Sequence, residues 1–145
     1  FQPELWEEEC DRAQKRRRGD LNLPPLLGIE QDPLVAEQAR VNIAAAGLEG
    51  VIEIREGSFT EHDLPDGPGV LVCNPPYGQR IGEEAELDHL YSALGGYVRQ
   101  QASGWQLWLL SGNPKLTGGL RMKASRRIPI SNGGIDCRWL HYSIR

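Results

Sequence analysis

Apolar positions recur along the chain with two periods, one helical and one extended. Over residues 3–18, Trp6, Cys10 and Ala13 share a helical face. Glu7 to Glu9 lie toward its start and Lys15 to Arg18 close it, an order that complements the helix dipole. Pro3 suits the first turn and Gly19 a stop. Lys15 to Arg18 could touch phosphate, but capping the helix is the more economical reading. The run Leu26-Leu27-Gly28-Ile29-Glu30 predicts a short strand ending in an acid. Asp32 then suits an N-cap and Pro33 the first helical position. Val35, Ala39, Ile43 and Ala46 form the apolar face of that helix, and Gly47 ends it. Val51 to Arg55 predicts a second strand, and a polar loop follows from Gly57 through Gly69. Val70 to Cys73 is apolar at every position, which predicts a strand buried on both faces.

Leu87, Leu90, Tyr91, Leu94 and Val98 predict a helix over 84–101, with Gly95-Gly96 as its weak point. Trp105 to Leu110 predicts a fourth strand, again too apolar to be half exposed. Asn113 to Gly119 reads as a loop with one helical turn. Two further strands, 123–130 and 136–144, flank Ser131-Asn132-Gly133-Gly134-Ile135, and Asn-Gly-Gly between two such runs is a hairpin signal. Strand–helix alternation followed by a hairpin predicts an α/β sheet, mostly parallel, with one antiparallel strand at or near its edge. Ligands in such sheets sit beyond the carboxyl ends of the strands.

Composition narrows the classes. The 145 residues are 39% hydrophobic and 25% charged, which is globular rather than disordered. No apolar run approaches the roughly 20 residues of a membrane span. Cys10, Cys73 and Cys137 are scattered, with no Cys-x-x-Cys, which favours a reducing, cytoplasmic compartment over a disulfide framework or a cysteine-built zinc site. His62, His89 and His141 show no metal-ligand spacing, so no metal is expected. Cys73 reads as a buried strand residue, and Trp105, Trp108 and Trp139 as core rather than a stacking platform. The net charge of −4 hides a split. Residues 1–101 carry 9 Lys/Arg against 19 Asp/Glu, and residues 102–145 carry 7 against 1. An acidic body is followed by a basic terminal third, which is either an uneven solvated surface or a face for a polyanion. Arg121, Lys123, Arg126 and Arg127 are as well explained by solvent exposure near a sheet edge as by RNA phosphate.

Two features fall at strand ends. Glu30, followed by Gln31 and Asp32, places a carboxylate where a nucleotide-binding α/β unit accepts ribose hydroxyls. A plain strand-to-helix turn explains Asp32 but accounts less well for Glu30. The second feature is Asn74-Pro75-Pro76-Tyr77-Gly78, directly after the strand 70–73. Asn-Pro-Pro-aromatic arises by chance in on the order of one in a thousand chains of this length. Two prolines fix the backbone and remove two N–H donors. The Pro75 carbonyl and the Asn74 side-chain oxygen are then acceptors for the two hydrogens of an exocyclic amine. They would orient its lone pair and stabilise positive charge as it forms. Tyr77 offers a flat face on which a base can stack.

These residues resemble the class I S-adenosylmethionine-dependent amino-methyltransferases, whose signature is (Asn/Asp/Ser)-Pro-Pro-aromatic. More narrowly, the chain is similar to the bacterial THUMP-associated ribosomal RNA guanine-N2 methyltransferases. That similarity rests on Gly28-Ile29-Glu30-Gln31-Asp32-Pro33, Ala39-Arg40-Val41-Asn42, Asn74-Pro75-Pro76-Tyr77-Gly78 with Arg80, Leu94-Gly95, and Asn132-Gly133-Gly134-Ile135-Asp136-Cys137. The resemblance implies a Rossmann-like sheet, S-adenosylmethionine as cofactor and large-subunit ribosomal RNA as partner. Glu30 and Gln31 would meet the cofactor ribose. Ser58 stands where the family usually has an Asp for the adenine amine, with Phe59 beside it. Asn74, Pro75, Pro76 and Tyr77 would grip the target amine and stack its base, and Asn74 would also meet the cofactor. The resemblance also implies a first, central strand and a Gly-rich loop ahead of the first helix, and a THUMP domain, none of which occurs in these 145 residues. The chain is therefore expected to be part of a methyltransferase domain, inactive in isolation. Methylation of adenine N6 or glutamine N5, or a non-catalytic RNA-binding module, are the alternatives.

Overall fold

The computed structural model describes residues 2–16, 23–77 and 84–145. Arg17 to Gly19, the expected end of the first helix, lie outside the described residues, as do Gly78 and Arg80. The chain forms two compact units, Phe1–Glu56 and Gly57–Arg145.

The first unit holds α1 (Pro3–Arg16), β1 (Leu26–Glu30), α2 (Pro33–Ala45) and β2 (Ile52–Glu56). No α1 side chain is buried, and Leu5 and Trp6 are exposed. Strands β1 and β2 run parallel, with Gly28 opposite Ile54 and Glu30 opposite Glu56. Asp32 caps α2 as expected, its Oδ1 accepting from the Leu34 N–H at 2.8 Å and more weakly from Val35. The packed face of α2 differs from the expected one. Ala36 is buried, Ala39 and Ile43 are half-buried, and Val35 and Ala46 are exposed. Arg40 lies on the packed side: its guanidinium bonds Glu56 at 2.7 Å and the Ile54 carbonyl of β2 at 3.3 Å. The two carboxylates, Glu56 first and then Glu37, raise the Arg40 pKa further.

The second unit begins with a 3-10 turn (Phe59–Glu61) and continues with β3 (Val70–Cys73), α3 (Glu84–Gln101), β4 (Gln106–Ser111), α4 (Pro114–Gly118), β5 (Arg126–Asn132) and β6 (Ile135–Ser143). The strands order as β3-β4-β6-β5. β3 and β4 are parallel, and β6 is antiparallel to both its neighbours. The hairpin turns on Gly133 and Gly134, both at positive φ (58° and 82°), the pair of conformations a two-residue turn requires.

The core lies on one side of this sheet. Leu107 and Leu109 of β4 and Leu140 and Tyr142 of β6 meet Tyr91 and Val98 of α3, Leu116 of α4 and Leu120. Burying each large side chain contributes roughly 1.5–3 kcal/mol. The apolar strands are thus buried on one face only, a correction to the expectation from their composition. Leu71 and Cys73 pack inward, while Val70 is 55% and Val72 66% exposed. Among the described residues of this unit, α3 and α4 cover the core side of the sheet. Trp105 belongs to the core, but Trp108 and Trp139 do not. They are half-buried on the other face and stack at 6.0 Å, with His141 4.5 Å from Trp108.

Candidate functional site

Glu30 ends β1, and its Oε1 accepts the Asp32 N–H at 2.9 Å. One carboxylate oxygen is held by the turn, and the other makes no hydrogen bond among the described residues. Gln31 is exposed beside it. The remaining candidate residues belong to the second unit. Ser58 caps the 3-10 turn: its hydroxyl accepts from Thr60 N–H, shares a proton with the Thr60 hydroxyl at 2.8 Å, and its N–H donates to Glu61 in a capping box. Most of its bonding capacity is used locally. Phe59 packs edge-on against Tyr97 at 5.4 Å, and Tyr97 in turn donates to the His62 carbonyl.

The Asn-Pro-Pro-Tyr segment leaves the carboxyl end of β3, where an α/β sheet presents ligands. Asn74 and Pro76 are exposed, Pro75 and Tyr77 half-buried. Asn74 makes no side-chain hydrogen bond among the described residues, so its amide is free to meet a substrate. Tyr77 is held from two directions. Asn132 Nδ2, at the end of β5, donates to the Tyr77 hydroxyl at 2.9 Å. Gly112, just past β4, leaves room for the ring, since a Cβ there would sit 3.1 Å and 3.2 Å from two of its carbons and 3.3 Å from Cys137 Sγ. Asn132 and Gly112 were not read from sequence as site residues. Asn132 stood in the hairpin motif, but its reach to a residue 55 positions earlier follows only from the β5–β6 pairing.

Cys73 precedes this segment and packs against the core. Burial pushes its thiol up to about 11. At pH 8 only about one molecule in a thousand carries the thiolate, the reactive form. Iodoacetamide at pH 8 is expected to label Cys73 about a hundredfold more slowly than a free cysteine thiol that ionises near 9. Peptide mapping by mass spectrometry checks this, and equal labelling would contradict it. The unfolded thiol ionises near 9 and the folded one near 11, so stability falls as pH rises through that interval.

The fold is that of the class I methyltransferases. A possible methylase from Clostridium difficile 630 superposes with a TM-score of 0.84 at 23% identity, over 100% of this chain and 38% of that one. A candidate methyltransferase in complex with SAH matches with the same TM-score, identity and coverage. The chain belongs to the family of RMKL-like methyltransferase domains, whose model matches residues 2–141. A Synechocystis sp. protein provisionally named an RNA methyltransferase is 35% identical over 99% of this chain and 37% of its own length. The ribosomal RNA large subunit methyltransferase K/L of Marinomonas sp. is 39% identical over 92% of this chain and 19% of its own length. The chain therefore spans between about a fifth and two fifths of these relatives.

Proposed function

We propose that the chain forms part of an S-adenosylmethionine-dependent methyltransferase acting on the exocyclic N2 of a guanine in large-subunit ribosomal RNA. The observation that carries the reading is Asn74-Pro75-Pro76-Tyr77 at the carboxyl end of β3, with a free Asn74 amide and a Tyr77 ring fixed by Asn132 and Gly112. The names of the Marinomonas and Synechocystis relatives support an RNA substrate. The solved neighbour's complex with SAH supports the cofactor.

The residues present fit that cofactor at its ribose end. Glu30 offers an oriented carboxylate to a diol, whereas Ser58, engaged by Thr60, offers an adenine amine little beyond one lone pair. Bound S-adenosylmethionine supplies an electrophilic methyl group on a sulfonium. Asn74 Oδ1 and the Pro75 carbonyl accept the two hydrogens of the guanine amine and aim its lone pair. Both oxygens stabilise the positive charge that grows on nitrogen, and the excess proton leaves to water. No strongly basic side chain is needed, and alignment supplies the rest. The guanine must be unpaired or flipped to lie on Tyr77.

Mass spectrometry of ribosomal RNA nucleosides from a strain lacking the gene tests the assignment. Loss of one N2-methylguanosine equivalent is the expected result. Loss of N6-methyladenosine instead, or no change, would overturn it.

A further inference from the structure

A cleft of about 840 Å³ opens in the second unit between α4 and the β5–β6 hairpin. Gly112, whose missing side chain makes room for the Tyr77 ring, lines it, so the cleft begins where the proposed stacking ring stands. Ser131 lines it as well. The register puts Arg127 opposite Leu140 and Arg138 opposite Pro129. Residues paired across a sheet, and residues two apart along a strand, point to the same face. Arg127 and Arg138 are therefore diagonal neighbours on the side of the sheet that faces the cleft. Neither forms an ion pair among the described residues, in contrast to Arg12, Arg40 and Arg55. Arg127 also acts on the buried Tyr142 hydroxyl at the cleft wall, favouring its ionised form against the burial that raises its pKa.

Two guanidinium groups on one face of the sheet complement the charge of a phosphodiester backbone, with several donors each and no acceptor. Asp136, opposite Ser131 toward the turn, lines the same cleft and supplies an acceptor. A bare anion has no use for it, whereas a nucleotide brings sugar hydroxyls and base N–H groups. The volume exceeds a single small anion several-fold. The net +6 of residues 102–145 adds a favourable field for a polyanion.

We propose that this cleft is a subsite for the RNA strand, in which Arg127 and Arg138 hold phosphates of the strand whose target base lies on Tyr77. The proposal rests on the RNA-methylation reading above and deepens it. It also separates Arg127 from its sequence neighbour Arg126. Arg126 pairs with His141 on the Trp108 side of the sheet and faces away from the cleft.

The test measures binding of a fluorescently labelled single-stranded ribosomal RNA oligonucleotide to the full-length protein by anisotropy, across a salt series. Each lost phosphate contact lowers the slope of log Kd against log salt by about 0.7–0.9. Arg127→Gln and Arg138→Gln should each do so and weaken binding about threefold to tenfold. The double variant should lose about twice as much slope, Arg127→Lys should restore most of it, and Arg126→Gln should leave it unchanged. An unchanged slope in the double variant overturns the proposal, as does an equal loss in Arg126→Gln. Nucleoside mass spectrometry on the same preparations keeps the two readings apart. A lowered slope without N2-methylguanosine would sink the guanine assignment and leave the cleft standing. N2-methylguanosine formed with an unchanged slope would sink the cleft alone.

Discussion

Tyr77→Ala in the full-length protein is expected to lower kcat/KM for RNA methylation about 5- to 150-fold while leaving cofactor affinity unchanged. The range is the stacking of one base on an aromatic ring, roughly 1–3 kcal/mol, converted to a rate ratio. The structure adds a finer expectation. The ring is aimed by the 2.9 Å bond from Asn132 to its hydroxyl. Tyr77→Phe keeps the stacking face and loses only that bond, as does Asn132→Ala from the other side. A hydrogen bond contributes about 0.5–1.5 kcal/mol, and this one is solvent-accessible, so each variant should lose about two- to threefold. If Asn132 acts through Tyr77, the double variant is no worse than either single, since the two substitutions remove the same interaction. Methylation kinetics on an RNA fragment, with calorimetry for the cofactor, check all four proteins. Full turnover by Tyr77→Ala would exclude the stacking role, and additive losses in the double variant would exclude the coupling.

The legibility of the chain followed the range of the interactions. β1, β3 and α3 span the same residues in the sequence reading and in the structure, as strand and helix periods are local properties. The hairpin was legible because Gly133 and Gly134 carry their turn conformation in their identity. Burial was not. The apolar run Val70 to Cys73 is the composition of a two-sided strand, yet only Leu71 and Cys73 meet the core. An apolar side chain records that it can be buried, without recording which face is covered. The site divides in the same way. Asn74 to Tyr77 announce their chemistry because Pro-Pro fixes its own backbone. Asn132, Gly112 and Arg138 take their roles from a register that joins distant segments. Gly95-Gly96 shows the strongest reversal: residues that weaken a helix on propensity prove to be two different things.

Gly95→Ala is expected to destabilise the protein by about 1–4 kcal/mol, and Gly96→Ala to stabilise it by about 0.5–1 kcal/mol. Propensity alone gives both substitutions the same sign, since alanine replaces glycine inside a helix favourably. Packing separates them. A Cβ on Gly96 meets nothing within 4 Å. A Cβ on Gly95 would lie 2.4 Å from the Leu120 carbonyl oxygen, 2.7 Å from its Cα and 2.9 Å from its carbonyl carbon. Those atoms are backbone and cannot swing aside as the end of a side chain would. Leu120 is also pinned, its side chain fully buried and its carbonyl accepting a hydrogen bond from Arg99 Nη1 one turn further along α3. Moving α3 outward would instead loosen Tyr91 and Val98, both fully buried. Overpacking of this kind costs about 1–3 kcal/mol, and a strained Arg99 bond adds to it, against less than about 1 kcal/mol gained in propensity. The net loss is a sizeable share of the 5–15 kcal/mol that holds an ordinary domain together. Thermal melts should place Gly95→Ala about 5–15 °C below the parent and Gly96→Ala slightly above it. Shifts of the same sign in the two variants would show that α3 does not rest on the Leu120 backbone, since propensity would then be the only term at work.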